Sequence, residues 1–342
     1  MAEGLVPSPL ASDRERVGIL HNQPLPAGAP GWEASRDVLV QVEAVAVAVN
    51  SLGHQVVLLP FNGDPQALER GLHQGGVTRV VNLCESVGED PTLIGHPAAL
   101  LELLRIPFTG SSAFALMLST DKVTSKLLLQ GAGVRTPRFF LYDEPSTLAH
   151  DHDLRYPLIA KPRYEDASIG IDQESVFATG EELARGARQL HDRYGPLLIE
   201  EYIPGREINV AVLGDPELKV LAVAEIDFSA FPQGMYPIVG YRAKWDESAF
   251  EYHHTPRLFP EDLEANVLTD LRRESLRACR VLQVRDYARV DLRLDSERRS
   301  HVLEVNANPC LSPDAGFCAA ARHQGIDFRE LVARLLRFAG GR

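Results

Sequence analysis

Four residues on two short segments carry the strongest chemical suggestion: Arg289 and Asp291 in Arg289-Val290-Asp291, and Glu304 and Asn306 in Leu303-Glu304-Val305-Asn306. Alternation along a strand puts Arg289 and Asp291 on one face, and Glu304 and Asn306 likewise, so two adjacent strands would bring three oxygen ligands beside one guanidinium. Mg²⁺ takes hard oxygen ligands and keeps substrate phosphates in its shell, while a planar Arg suits phosphate charge. The spacing alone better describes a half-buried strand pair with outward polar residues. A second cluster is Lys161-Pro162 followed by Glu165-Asp166-Ala167-Ser168-Ile169-Gly170-Ile171. Backbone N–H groups of such a small-residue loop can meet a polyphosphate, with Lys161 as compact positive charge, although an ordinary hairpin turn fits the same residues. No GxxxxGK[ST] loop occurs. A third is Leu198-Ile199-Glu200-Glu201-Tyr202-Ile203-Pro204-Gly205-Arg206-Glu207. Its apolar strand, ending in carboxylates and an aromatic, could wall a purine and offer Glu207 to ribose hydroxyls, or simply join two strands.

These groups need elements to hold them. Val17 to Leu20 reads as a buried strand, and Val38, Val42, Val45, Ala46 and Val49 recur at helical spacing with Gly53 as a stop, predicting a helix over residues 35–52. Strands at 55–59 and 79–83 and a helix near 97–104 complete an alternation that implies a parallel α/β sheet, ending near Ser119. Beyond Asp121 the pattern becomes α+β. One helix is followed by strands at 139–141 and 158–161, a helix over 181–191 and a strand at 197–201. Further strands are predicted at 207–213, 219–225, 288–294 and 301–305, with helices near 261–281 and 328–338.

With 342 residues the chain is long enough for two or three domains at roughly 100–200 residues each. Lys and Arg number 35 against 47 Asp and Glu, a formal net charge of −12, which disfavours a general nucleic-acid or anionic-membrane binder. Cys84, Cys279, Cys310 and Cys318 show no CxxC spacing, so a reducing compartment, the cytoplasm, is expected, and zinc is not. The first sixteen residues lack a signal-peptide apolar core, and no apolar stretch is long enough to span a bilayer.

The ordered set Thr120-Asp121-Lys122, Lys161-Pro162 with its Ser/Gly loop, Ile199-Glu200-Glu201-Tyr202-Ile203, Tyr241-Arg242-Ala243-Lys244-Trp245, Arg289-Val290-Asp291 and Glu304-Val305-Asn306 resembles ATP-grasp enzymes, most closely the D-alanine–D-alanine ligase family. Asn82-Leu83-Cys84-Glu85 and the 101–110 segment resemble that family's first domain. The resemblance implies a three-domain ATP-grasp architecture: an N-terminal α/β substrate domain (1–119), a central subdomain (120–203) and a C-terminal catalytic subdomain (204–342). It implies that Lys122 and Lys161 contact ATP phosphates, that Ser168 and adjacent amides close over them, and that Glu200, Tyr202 and Ile203, with Glu201 beside them, form the adenine pocket. Glu207 would hold ribose, Lys244 would approach the γ-phosphate, and Arg289 would sit by the transferred phosphoryl group. Asp291, Glu304 and Asn306 would bind two Mg²⁺ ions, with Mn²⁺ as an acceptable substitute. The implied reaction joins a carboxylate to an amine through an acyl phosphate; the implied partners are small amino-acid substrates, and a homodimer is suggested.

The departures fall on the substrate pocket. The family's Gly-Gly-x-Ser-x-Glu-type segment, whose Glu helps hold the first amino acid, is replaced by His21-Asn22-Gln23-Pro24-Leu25-Pro26, leaving Glu33 or Asp37 as stand-ins. Cys310 stands where the family commonly has Gly, and Ala315 where it commonly has Ser. An altered substrate pair is therefore expected, with D-alanyl-D-alanine synthesis and a non-catalytic ATP-binding regulator as the rival readings. Gly131-Ala132-Gly133 reads as a helix stop, His150-Asp151-His152-Asp153 as a solvated loop, and Cys310 as a packed or substrate-facing thiol.

Overall fold

The computed structural model describes residues 14–29, 32–144 and 152–341. The chain opens with β1 (Arg16–Asn22), α1 (Trp32–Ser51), β2 (Gln55–Phe61), α2 (Pro65–Gly75), β3 (Arg79–Asn82), α3 (Gly95–Leu103), α4 (Ala113–Thr120) and α5 (Lys122–Gly131). Strands β2, β1 and β3 form a parallel sheet in that order. Helix α1 forms despite its β-branched content because Val38, Val42, Val45 and Val49 make one buried stripe against Val17, Ile19 and Val81 of this sheet. The same layer receives Leu331, Val332, Leu335 and Leu336 from the last helix of the chain.

The middle of the chain holds β4 (Phe139–Tyr142), β5 (Leu158–Pro162), β6 (Val176–Phe177), α6 (Gly180–Tyr194) and β7 (Leu197–Glu201), with an antiparallel sheet ordered β4-β7-β5-β6. Leu183 and Ala187 of α6 cover it, packed on Leu158, Ala160, Leu197 and Ile199. The remainder comprises β8 (Arg206–Gly214), β9 (Lys219–Ile226), α7 (Tyr241–Trp245), α8 (Phe250–His253), β10 (Arg257–Leu258), α9 (Ala265–Val281), β11 (Asp286–Leu294), β12 (Ser300–Asn306), α10 (Gly316–His323) and α11 (Phe328–Gly340). Its antiparallel sheet runs β10-β9-β8-β11-β12.

Every strand and helix expected from the sequence is present, most of their boundaries within three residues, and the largest shift is four residues. The helix expected from residue 261 starts at Ala265: Glu264 is extended as its N-cap, and Asp262 is drawn aside to Arg206 at 2.9 Å. Helices α2, α4, α7, α8 and α10 carry no sequence expectation. No described helix is long and apolar enough to cross a membrane. Residues 1–13, where a leader was sought, lie outside the described residues, as do His150 and Asp151. Their neighbour His152 stacks on Phe140, ring centroids 5.1 Å apart, and Asp153 pairs with Arg138.

Candidate active site

Strands β8, β11 and β12 set most of the polar groups. Antiparallel register puts Arg289 opposite Asn306, Asp291 opposite both Glu304 and Asn209, and Arg293 opposite Glu207. Ala288, Val290 and Leu292 alternate to the other face, where Val267, Leu271 and Ala278 of α9 bury them. A bulge after Asp291 adds one residue to β12, so Val302 and Val305 both enter this core while Glu304 stays beside Asp291. The expected convergence of two strands therefore exists, and β8 adds a third.

The cavity over this face is lined by Lys161, Ser168, Glu200, Glu201, Tyr202, Ile203, Glu207, Asn209, Lys244, Arg289, Asp291 and Glu304, among others. Arg289 grips Asp291 with two parallel bonds, Nε to Oδ1 at 2.7 Å and Nη2 to Oδ2 at 2.8 Å, while Asn209 Nδ2 donates to Oδ1 at 2.8 Å. Three of about four lone-pair sites on Asp291 are thus used, and one remains. Glu304 accepts no hydrogen bond from a described residue. Burial would raise its carboxyl, but the charges of Lys122, Lys161, Lys244 and Arg289 outweigh that and hold it at about 2. Burial lowers the Lys244 ammonium, and neighbouring Arg289 lowers it further. Asn306 Oδ1 accepts from Asn308 N at 3.0 Å, leaving a second lone pair. Two carboxylates and an amide oxygen make a hard, all-oxygen donor set that fits Mg²⁺ in kind.

On the opposite wall, Glu200 bridges two lysines, its oxygens 2.7 Å from Lys126 Nζ and 2.7 Å from Lys161 Nζ. Burial opposes ionisation of Glu200, yet the pair of ammonium groups holds its carboxyl below the ordinary range. Lys122 instead donates to the Glu165 carbonyl and lies 3.5 Å from Asp166. Those acceptors belong to the Ser/Gly loop, which is no plain hairpin turn. Ala167 (φ 54°) and Ser168 (φ 62°) are both left-handed, and a Cβ on Gly170 (φ 72°) would meet Pro162 Cγ at 2.6 Å. Bonds from Ser168 Oγ to the Val239 carbonyl (2.8 Å), Trp245 Nε1 to the Ala167 carbonyl (3.0 Å) and Tyr241 N to the Ile171 carbonyl (2.7 Å) hold the loop against the segment carrying Lys244.

The adenine-pocket candidates divide by strand alternation. Tyr202 meets Tyr236 edge-on at 5.4 Å and lies under the Arg293 guanidinium at 5.3 Å, with Ile203 buried nearby. The Glu201 carboxylate accepts from Arg155 N at 2.9 Å and Arg155 Nη2 at 3.1 Å, which holds it below the ordinary carboxylate range against its burial. Glu207 lies 3.3 Å from Arg293, and burial, aided by Asp291, raises its carboxyl.

Sequence reasoning missed Lys126, Asn209 and Arg293, though each carried a signal. Lys126 is one helical turn from Lys122, Asn209 is two residues from Glu207, and Arg293 continues the Arg289–Asp291 alternation. Toward the parallel sheet, Gln41 Nε2 donates to Glu85 Oε1 at 3.0 Å and Gln41 Oε1 accepts from Leu311 N at 2.9 Å. Cys310 Sγ lies 3.5 Å from Asp37 Oδ2, and burial pushes its thiol well above the ordinary range, so it is no ready nucleophile. Asp37 is thus engaged by a thiol; the side chain of Glu33 lies outside the described residues.

The model for the D-Ala–D-Ala ligase C-terminus matches residues 128–337. An uncharacterised protein, y4sG, of Sinorhizobium fredii is 34% identical over 94% of each chain. A D-alanine–D-alanine ligase of Nitrosospira multiformis is 34% identical over 90% of this chain and 94% of its own. The crystal structure of D-alanine–D-alanine ligase from Bacillus anthracis complexed with ATP superposes with a TM-score of 0.76 at 20% identity, covering 96% of this chain and 98% of that one. The architecture is therefore the three-domain ATP-grasp fold with an N-terminal parallel α/β sheet. Family match, relatives and fold agree, and the chain belongs to the D-alanine–D-alanine ligase family of ATP-dependent ligases that form C–N bonds.

Proposed function

We propose that this protein couples a carboxylate to an amine, at least one of them an amino acid, with cleavage of ATP to ADP and phosphate, and that D-alanine is not its preferred substrate at both positions. The observation that carries the reading is Glu304, an ionised carboxylate with no hydrogen-bond partner among the described residues, sharing one cavity with Lys161, Lys244 and Arg289 and within the field of Lys122. Simple nucleotide binding has no need of so many charges aimed at one point. Transfer of a phosphoryl group between anions does, because ATP and an attacking carboxylate repel each other. A carboxylate oxygen attacks the γ-phosphorus and ADP leaves; the amine then attacks the acyl carbon, phosphate leaves, and the amine nitrogen loses its proton.

In this reading Lys161 and Lys122 face the phosphates under the Ser168 loop. Glu200, Glu201, Tyr202 and Ile203 wall the base, and Glu207 meets the ribose. Lys244 and Arg289 draw charge toward the transferred group. The free lone pairs of Asp291, Glu304 and Asn306 would hold magnesium, two ions by the family's pattern. Magnesium supplies Lewis-acid neutralisation of phosphate charge when bound. Segments 1–119, 120–203 and 204–342 take the roles of substrate, nucleotide and catalytic units, and the free cysteines suit a cytoplasmic setting. The altered pair follows from His21 to Pro26 in place of the usual segment, and from Cys310, whose side chain fills space beside the loop after β12. Each lost polar contact to a substrate costs ~1–3 kcal/mol unless replaced.

The test is phosphate release with Mg-ATP over L- and D-amino acids offered singly and in pairs. Release that needs two different compounds is expected. If D-alanine alone reaches a kcat/KM of ~10⁴ M⁻¹s⁻¹ and no pair exceeds it, the altered-pair reading falls; if no addition raises the rate, the ligase reading falls.

A further inference from the structure

The reaction scheme leaves two of the cavity's cations unused, Arg257 and Arg293, and of these Arg257 is placed unusually. It sits on edge strand β10, paired with Ile226 of β9, and lines the same cavity as Lys244, Arg289 and Glu304. Its Nε is fully buried with no acceptor, and its one hydrogen bond among the described residues is a long one, Nη1 to the Asp314 carbonyl at 3.4 Å. No carboxylate of the described residues pairs with it. By contrast Arg289 is neutralised by Asp291 and Arg293 lies against Glu207. An Arg carries five donors and stays charged in any accessible pH range, so a guanidinium left so poorly satisfied in a cavity lacks an anion.

Two neighbours sharpen what that anion is. A Cβ built on Gly316 would lie 3.4 Å from Arg257 Nη2 and 3.5 Å from Nε, so the guanidinium sits directly against the first residue of α10. The N-cap of α10, Ala315, has no side chain to accept from the helix's first amides. Burial lowers the proton affinity of Arg257 and the charge of Arg289 lowers it further, while the Asp314 carboxylate acts the other way without coming within ion-pair distance. An anion bound by Arg257 at the start of α10 would lie in the same cavity as Arg289, within the field of both guanidinium groups.

We propose that Arg257 is a specificity-determining residue that binds the carboxylate of the amine substrate, the one that does not react. The acceptor is then an amino acid or a related amine bearing a carboxylate, and a neutral amine is rejected because Arg257 would remain unpaired. The proposal rests on the ligase reading above and deepens it.

The experiment uses the full chain with Mg-ATP and the most active amino-acid pair from the release screen. The acceptor competes with its own α-carboxamide, which keeps the amine and loses the anion. Products are separated by mass spectrometry as dipeptide or dipeptide amide. Wild type should favour the free acid at least ~100-fold in kcat/KM, the range expected where a buried polar group would be left unpaired. Arg257→Met should cut that preference at least ~30-fold, mainly by raising KM for the acid, with the carboxamide rate and KM for ATP unchanged. Arg257→Lys should restore part of the preference. If Arg257→Met slows acid and carboxamide equally, or leaves the ratio as it was, Arg257 is structural and the proposal fails. A wild type that prefers the carboxamide also overturns it. If no pair supports ADP release in wild type, it is the ligase reading that has failed, and this inference with it.

Discussion

At the scale of single residues, the site is an arrangement of unequal carboxylates. Glu200 and Asp291 are each paired with neighbouring cations, whereas Glu304 is surrounded by positive charge without touching it. Glu304→Gln keeps the shape and removes the charge, so turnover should fall at least ~100-fold while the thermal midpoint stays close to wild type. Unchanged activity at limiting Mg²⁺ would remove Glu304 from the metal set. The two lysines on Glu200 should separate in the same way. Lys161→Ala leaves Glu200 paired with Lys126, so it should weaken a non-hydrolysable ATP analogue by ~1–3 kcal/mol in calorimetry with little loss of stability. Lys126 is fully buried, bonded to Thr136 Oγ1 at 2.7 Å as well as to Glu200, so Lys126→Met should destabilise by roughly 3 kcal/mol in urea. Equal effects of the two on both readouts would show that the pair does not divide its work. The four residues on β11 and β12 were legible because strand alternation maps spacing directly onto a face. Lys126 was not sought because a helix hides one lysine behind another in the linear sequence.

At the scale of elements, what the sequence leaves illegible follows from where its signal is weak. Long periodic segments such as α1, α6 and α11 announce themselves through a buried stripe. Helices α4, α7 and α10 are too short for a periodic signal: Ser112 caps α4, whereas α7 and α10 start at Gly240 and Ala315 without a side-chain cap, and α7 owes its place to the loop at Ser168, which only the folded chain brings near. Helix α2 was legible in principle. Asp64 precedes Pro65, its carboxylate accepts from Gln66 N at 2.9 Å and Ala67 N at 3.2 Å, and Gly76 closes the helix in the left-handed region at φ 58°. Asp64→Ala should therefore cost ~1 kcal/mol of stability by urea unfolding and leave kcat/KM untouched, α2 being remote from the cavity. A neutral result would mean that Pro65 and Gly76 alone hold the helix ends. The Ser168 loop shows the opposite limit: its consecutive left-handed residues have no signature in Ala167-Ser168 and are imposed by the bonds that clasp it.

At the scale of the whole molecule, groups from distant parts of the chain bear on Glu85. Its carboxylate takes one hydrogen bond from Gln41 of α1, and it feels Asp37 of the same helix, Asp166 of the loop after β5 and Lys244 of α7. Burial is the main influence, raising its pKa to about 7; Asp37 and Asp166 push the same way, while Gln41 and Lys244 oppose them. The unfolded chain would titrate this carboxyl near its ordinary value of 4.5. Between these values the folded state holds the proton and the unfolded state has released it, so folding stability from this group falls as pH rises and is fully lost above about 7. The glutamine variant cannot ionise and should escape the loss. Urea unfolding of wild type and Glu85→Gln at pH 4.5 and 8.5 should give curves that nearly converge at the lower pH, where little of the linkage has set in. At the higher pH the variant should be more stable by roughly 2–3 kcal/mol. Asp37 and Asp166 also titrate upward through burial, and since they act on Glu85 the difference between the two proteins reports Glu85 together with its coupling to them. Parallel curves would mean that Glu85 is solvated well enough to stay ionised, and that its surroundings are wetter than their packing implies.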